Sequence, residues 1–199
     1  MKIAIFGGSF NPIHLGHIKL VKTAIETADL DKVLLIPTGI TPHKSNSEMA
    51  PAKDRLEMCK IASLSYDNIE VSSIEIERKG KSYTYQTLNS LKEIYPNDEF
   101  FIIMGSDMYL SLHTWKNANS FLNNLNVITD LRNSADTMEI EKQCELLKKY
   151  GAKSYIINHS VMDVSSTEIR ERLKNNFDVS EFLDSKVLEY IKTHHLYGM

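Results

Sequence analysis

Residues 3–17 read Ile3-Ala4-Ile5-Phe6-Gly7-Gly8-Ser9-Phe10-Asn11-Pro12-Ile13-His14-Leu15-Gly16-His17. The short apolar run Ile3 to Phe6 has the pattern of a buried strand, and it stops at a glycine pair. Gly7 and Gly8 carry no Cβ, so the expected turn can be sharp and can bring backbone N–H groups close to a ligand. His14 and His17 follow three residues apart at the start of a helical pattern, a spacing that shares one helix face. Imidazoles, bare amides and the positive end of a helix then address one spot. That combination suits a polyphosphate.

Outward from this stretch, strand-like and helix-like segments alternate to the end of the chain. Strands are expected at 33–36, at 100–104, 127–129 and 155–157, and one or two short ones over Ile69 to Ile76. Helices are expected over 14–28, 51–64, from the Tyr83–Leu88 stretch to Tyr95, over Trp115 to Leu125, 138–150, from Ser165 through Leu173, and over 185–194. Such alternation predicts an α/β fold with a doubly wound parallel sheet. No repeat, low-complexity tract or linker interrupts it, so one domain over 1–199 is expected. In such sheets ligands bind outside the carboxyl ends of the strands. Gly7-Gly8, Pro37 to Lys44, Gly105 to Asp107 and His159 to Ser166 all follow strands at that end.

The 199 residues suffice for one α/β domain with a sizeable core. A net charge of −3 argues against a nucleic-acid partner and favours a small anionic ligand held by a few local cations. The two cysteines, Cys59 and Cys144, have no metal-ligand spacing and read as reduced thiols packed on helices. No leader precedes the first strand, and no apolar run approaches the ~18 residues of a membrane helix. A cytoplasmic protein with no membrane partner is expected, compatible with a homo-oligomer.

A second motif lies far downstream: Val164-Ser165-Ser166-Thr167-Glu168-Ile169-Arg170. Ser165 with Glu168 has the spacing of a capping box, so Ser165 to Thr167 open a helix and form an anion site at its N-terminus. Ser166 and Arg170 stand one turn apart, so hydroxyl and guanidinium lie on one face, and the planar arginine fork suits a phosphate-type anion. No nucleophilic Cys or Ser is paired with a base, and no metal-ligand cluster is visible. No covalent enzyme intermediate is therefore expected.

Together the two motifs resemble the nucleotidylyltransferase superfamily of Rossmann-like α/β-phosphodiesterases. Ser82-Tyr83-Thr84-Tyr85-Gln86-Thr87-Leu88, Gly105-Ser106-Asp107 and Trp115-Lys116 resemble its bacterial nicotinate-nucleotide adenylyltransferase branch, and the likeness runs along essentially the whole chain. It implies transfer of the adenylyl group of ATP to nicotinic acid mononucleotide. His14, His17 and Arg170 would be catalytic. Gly7, Gly8, Ser9, Phe10, Gly16, Ser165, Ser166 and Thr167 would meet ATP. The pyridine nucleotide would meet His43, Lys44, Thr84, Gly105, Asp107 and Trp115, with the indole stacked on the ring. A carboxylate only accepts hydrogen bonds, so backbone donors near Thr84 would favour the acid over the amide. Magnesium would arrive with ATP, with no protein-held metal. The alternatives are an enzyme acting on nicotinamide mononucleotide or phosphopantetheine, or a nucleotide sensor without turnover. Asn11 departs from the Asp common in the branch; it precedes Pro12 and reads as turn chemistry of little effect. The segment 131–141 is assigned no function.

Overall fold

β1 (Lys2–Gly8), β2 (Lys32–Pro37), β3 (Ile69–Val71), β4 (Glu99–Met104), β5 (Asn126–Asp130) and β6 (Lys153–Ile157) form one sheet in the order β3-β2-β1-β4-β5-β6. The computed structural model describes residues 1–39, 49–78, 80–131, 137–157, 162 and 164–199. Lys2 to Phe6 of β1 pair in parallel with Glu99 to Ile103 of β4, and β4, β5 and β6 continue in parallel. This is the strand order of a doubly wound, Rossmann-like sheet, reversing direction beside β1. The runs that read as buried strands are buried: Ile3 to Phe6, Val33 to Ile36 and Phe100 to Met104 all lie in the core. Strands covered on both faces carry continuous apolar runs rather than alternation.

Nine α-helices accompany the strands among the described residues: α1 (Leu15–Ala28), α2 (Ala52–Ser63), α3 (Ile74–Glu77), α4 (Thr84–Ile94), α5 (Ser106–Ser111), α6 (Ala118–Leu122), α7 (Thr137–Lys149), α8 (Ser166–Lys174) and α9 (Ser185–Thr193). The residues group into two compact units. The first comprises Met1–Gly7, Leu20–Leu34 and Tyr83–Val161; the second comprises Gly8–Lys19, Leu35–Ser82 and Met162–Met199. In the first, the Tyr109 side chain is wholly buried, with its hydroxyl donating to Ser154 Oγ at 2.7 Å and its carbonyl accepting from Gln143 at 2.9 Å. In the second, the Tyr190 hydroxyl of α9 reaches the Asp54 carboxylate of α2 at 2.9 Å. Asp184 caps α9, accepting the Lys186 N–H at 2.8 Å, a bond type that contributes about 1 kcal/mol. Cys59 is buried on α2 and Cys144 lies on α7, both as free thiols.

Two expected elements differ. Over Ile69 to Ile76 only Ile69–Val71 is a strand; Ile74–Glu77 is one helical turn. The Ser73 carbonyl accepts the N–H groups of Ile76 and Glu77, and its hydroxyl meets the Glu77 carboxylate. Glu75 rather than the isoleucines is buried, so the alternation at Ile74 and Ile76 was too short to mark a strand face. Trp115 to Leu125 is not one helix either. A 3₁₀ turn covers Leu112–Thr114, and Asn117 sits in the left-handed region at φ 58°, so α6 can start only at Ala118.

Candidate active site

β1 ends at Gly8, whose carbonyl accepts the Thr38 N–H at 2.9 Å. The turn that follows is sharp, but the glycine pair does not supply its left-handed residue. Phe10 does, at φ 45°. For a residue with a Cβ that conformation costs about 1–2 kcal/mol. The Phe10 ring is buried and meets the His17 ring edge-on at 5.2 Å. A Cβ on Gly8 would come within 3.1 Å of that ring, so here the missing side chain makes room for an aromatic. A Cβ on Gly7 would meet nothing within 4 Å.

His14 precedes α1 instead of lying on it. Its carbonyl accepts the N–H groups of His17 (2.9 Å) and Ile18 (3.3 Å), and its own N–H donates to His17 Nδ1 at 3.1 Å. The His17 ring thus reaches back to the N–H ahead of the helix, as the acidic side chain of a capping box does, with an imidazole where a carboxylate normally stands. Because Nδ1 of His17 accepts, the proton of its neutral ring is on Nε2. The two imidazoles stack at 3.6 Å between centroids, 30° apart. A Cβ on Gly16 would lie 3.0 Å from His14 Nδ1 and 3.2 Å from its Cε1, which explains a glycine between the two histidines.

The downstream motif meets this turn in the same unit. Ser165 caps α8, its Oγ accepting the Glu168 N–H at 3.1 Å, while the Glu168 carboxylate turns to Arg172 at 3.0 Å. The Ser166 hydroxyl donates to the Pro12 carbonyl at 2.9 Å. Arg170 donates to the Asn11 carbonyl at 2.9 Å and to Thr167 Oγ1 at 3.3 Å. With the Ser166 proton committed to Pro12, what this helix end offers an anion is backbone N–H and the Thr167 hydroxyl, beside the positive charge of Arg170.

Residues to which the sequence reading gave no part in the site complete the turn. Arg55 of α2 is 1% exposed, and its guanidinium donates to main-chain carbonyls: Ser9 and Thr38 at 2.7 Å, Ala50 at 3.0 Å and Gly39 at 3.4 Å. Burial lowers its pKa from the ordinary arginine value, against the opposing influence of Tyr197. Asn11 is not incidental turn chemistry. It is buried, and its Oδ1 accepts both the Ala50 N–H at 2.9 Å and the Tyr197 hydroxyl at 3.0 Å. An aspartate could accept the same two bonds but would add a charge; asparagine keeps the acceptor and omits it. Burial raises the Tyr197 phenol well above its usual value, so it remains a donor. No local pattern marks these residues: Arg55, Asn11 and Tyr197 are joined across 39 to 186 positions of chain.

The first unit holds the residues expected at the pyridine ring. Gly105 precedes α5, and the Ser106 N–H donates to Asp130 at 3.1 Å. Asp107 is exposed in the first turn rather than capping it. Trp115 is half-buried, with its indole N–H reaching Ser111 Oγ at 3.4 Å. Thr84 opens α4; Tyr83 before it makes no side-chain cap. Lys116 Nζ stands 4.4 Å from the Tyr83 ring centroid, bringing the Trp115-Lys116 pair beside the start of α4. His43 and Lys44 lie outside the described residues. Among those described, no group of three His, Cys, Asp or Glu side chains could hold a metal ion, and no helix is long and apolar enough to cross a membrane.

The cytidylyltransferase-like family model matches residues 5–172. The chain is 41% identical over 197 residues to a protein of Fusobacterium nucleatum named probable nicotinate-nucleotide adenylyltransferase, covering 98% of this chain and all of the relative. A Clostridium tetani protein of the same name is 35% identical, with 98% of each covered. The fold matches that of Plasmodium falciparum nicotinic acid mononucleotide adenylyltransferase complexed with NaAD, with a TM-score of 0.80, 22% identity, and 98% and 97% of the two chains covered.

Proposed function

The chain belongs to the cytidylyltransferase-like family, among its nicotinate-nucleotide adenylyltransferases, and from that premise we propose how its residues serve the reaction. The protein is a nucleotidyltransferase of NAD biosynthesis. It transfers the adenylyl group of ATP to nicotinic acid mononucleotide, giving nicotinic acid adenine dinucleotide and pyrophosphate. A phosphate oxygen of the mononucleotide attacks the α-phosphorus. The new P–O–P bond forms as the bond to the β-phosphate oxygen breaks, and pyrophosphate leaves with that electron pair. Nothing covalent is asked of the enzyme; placement and neutralisation of charge on the phosphorus oxygens supply the rate.

In our reading His14 and His17 meet the charge that builds at the α-phosphorus, and the observation that carries this is the His14 N–H to His17 Nδ1 bond. It aims the ring and puts the neutral proton on Nε2, where a phosphate oxygen can accept it. Gly7, Gly8, Ser9, Phe10 and Gly16 shape the turn for ATP. Ser165, Ser166 and Thr167 with Arg170 receive the departing pyrophosphate, the helix end and guanidinium both favouring an anion. Thr84, Gly105, Asp107 and Trp115 belong to the pyridine nucleotide, together with His43 and Lys44. Magnesium enters as part of the ATP substrate, bound mainly through phosphates and water. We take residues 1–199 as one catalytic domain working in the cytoplasm.

Pyrophosphate release with magnesium-ATP tests the reading, using nicotinic acid mononucleotide, nicotinamide mononucleotide and phosphopantetheine in parallel. Strong turnover with the acid alone is expected. Preference for another acceptor would keep the phosphorus chemistry and overturn the Trp115–Thr84 assignment. ATP binding without turnover on any acceptor would make the protein a sensor.

A further inference from the structure

The buried cation of α2 gathers three stretches of main chain that are distant in sequence. Arg55 Nη1 takes the Ser9 carbonyl, Nη2 takes those of Thr38 and Gly39, and Nε takes that of Ala50. Among the described residues no carboxylate pairs with it. In a trans peptide the carbonyl and the following N–H point in opposite directions. Drawing the Ser9 and Thr38 carbonyls onto the guanidinium therefore turns the N–H groups of Phe10 and Gly39 away from it. Thr38–Gly39 and Ala50 also flank residues 40–48 in sequence, so one side chain sets the two points from which that stretch departs. Gly39 packs closely against the main chain of Glu75. A Cβ there would run into the Glu75 carbonyl, so the backbone passes that point with no spare room.

We propose that Arg55 is a positioning residue for nucleotide binding, its planar fork setting the main chain of Ser9 and Thr38–Gly39 in the geometry that receives the phosphates of ATP. A lysine cannot replace it, because one ammonium is a point donor and cannot span carbonyls arrayed around a plane. The role rests on the adenylyltransferase reading, and it is separable from that reading because part of its test needs no ligand.

The test compares Arg55→Lys with the wild-type full chain in two measurements. Amide hydrogen exchange should quicken about tenfold or more at residues 8–11 and 38–39 while protection on β4 is retained. The dissociation constant for a magnesium-bound, non-hydrolysable ATP analogue should rise about tenfold, since misplacing the turn by a fraction of an ångström weakens several contacts together. Unchanged local exchange would overturn the proposal. So would a uniform loss of protection and melting temperature with the folded protein still binding the analogue normally, because that is a purely structural role. If wild type does not bind the analogue at all, the adenylyltransferase reading falls, and the exchange pattern alone decides whether Arg55 holds the turn. Should Arg55→Lys fail to fold, Arg55→Gln, which keeps amide donors without the charge, is read in the same way.

Discussion

In the second unit the carbonyls of Ser9, Asn11 and Pro12 are each gripped by a side chain from another element, at 2.7 to 2.9 Å. In the first unit the Trp115 indole rests on one long bond, to Ser111 four residues away at 3.4 Å. The contrast follows from what each region has to do. Charge that develops during a reaction is stabilised only by dipoles already in place, since any that must reorient cost part of what they return. A flat aromatic ring asks less of its partner, because stacking tolerates sliding and tilting. On the proposed reading, rigidity is concentrated where phosphorus reacts, and a single long bond suffices where a ring is recognised.

The largest expected effect breaks the rigid side. His17→Ala removes both the Nε2–H and the acceptor of the His14 N–H, and turnover should fall by about 10²- to 10⁴-fold. The accompanying stability loss should be only about 1 kcal/mol, the size of a lost helix cap. Single-turnover kinetics beside a thermal melt separate the two; near-normal turnover would remove His17 from the chemistry. A smaller effect probes the loose side. Trp115→Ala should raise the Michaelis constant for the pyridine nucleotide by about three- to tenfold, in line with the roughly 0.5–1.5 kcal/mol of an aromatic pair. The constant for ATP should hold. Equal rises for both substrates would make the indole a packing residue.

The smallest effect on catalysis is expected at Tyr109, in the core behind α5. Burial pushes its phenol up to about 12 from the ordinary 10.0. A raised folded value means the contribution is full below pH 10 and is lost as pH climbs through 12. About two units at roughly 1.4 kcal/mol each caps the alkaline loss at about 3 kcal/mol, a ceiling reached only above pH 12 and lowered by solvent screening, so that at pH 11 about half of it at most is expressed. Tyr109→Phe should flatten that limb in urea melts at pH 7, 9 and 11, while leaving both Michaelis constants unchanged. A shifted constant for the pyridine nucleotide would show that this core and the Trp115 region are coupled.

The parts of the molecule that could be read in advance are those with a local signature. Continuous apolar runs marked β1, β2 and β4, and the Ser-x-x-Glu spacing marked the start of α8. The two histidines were visible as a motif, yet their pairing through a cap and a ring stack was not, because spacing alone suggested a shared helix face. Nothing in the sequence around Arg55 sets it apart as a buried residue. Its burial depends on carbonyls supplied from residues 9, 38 and 50, and no window of sequence contains them all. Asn11 read as a turn residue because its neighbour is proline; its partners stand 39 and 186 positions away. Ile74 and Ile76 misled for the opposite reason, being a local pattern too brief to outweigh the turn at Ser73.

Most of what is held at the turn after β1 is carbonyl oxygen, an atom that every amino acid brings. Ser9, Thr38 and Ala50 thus keep their places through nothing peculiar to serine, threonine or alanine, while the donors that hold them are specific side chains rooted elsewhere. The turn's shape is in this sense inherited at a distance. Spelling can drift at the positions that touch one another, and the record of why they touch is written in Arg55, Ser166, Arg170 and Tyr197.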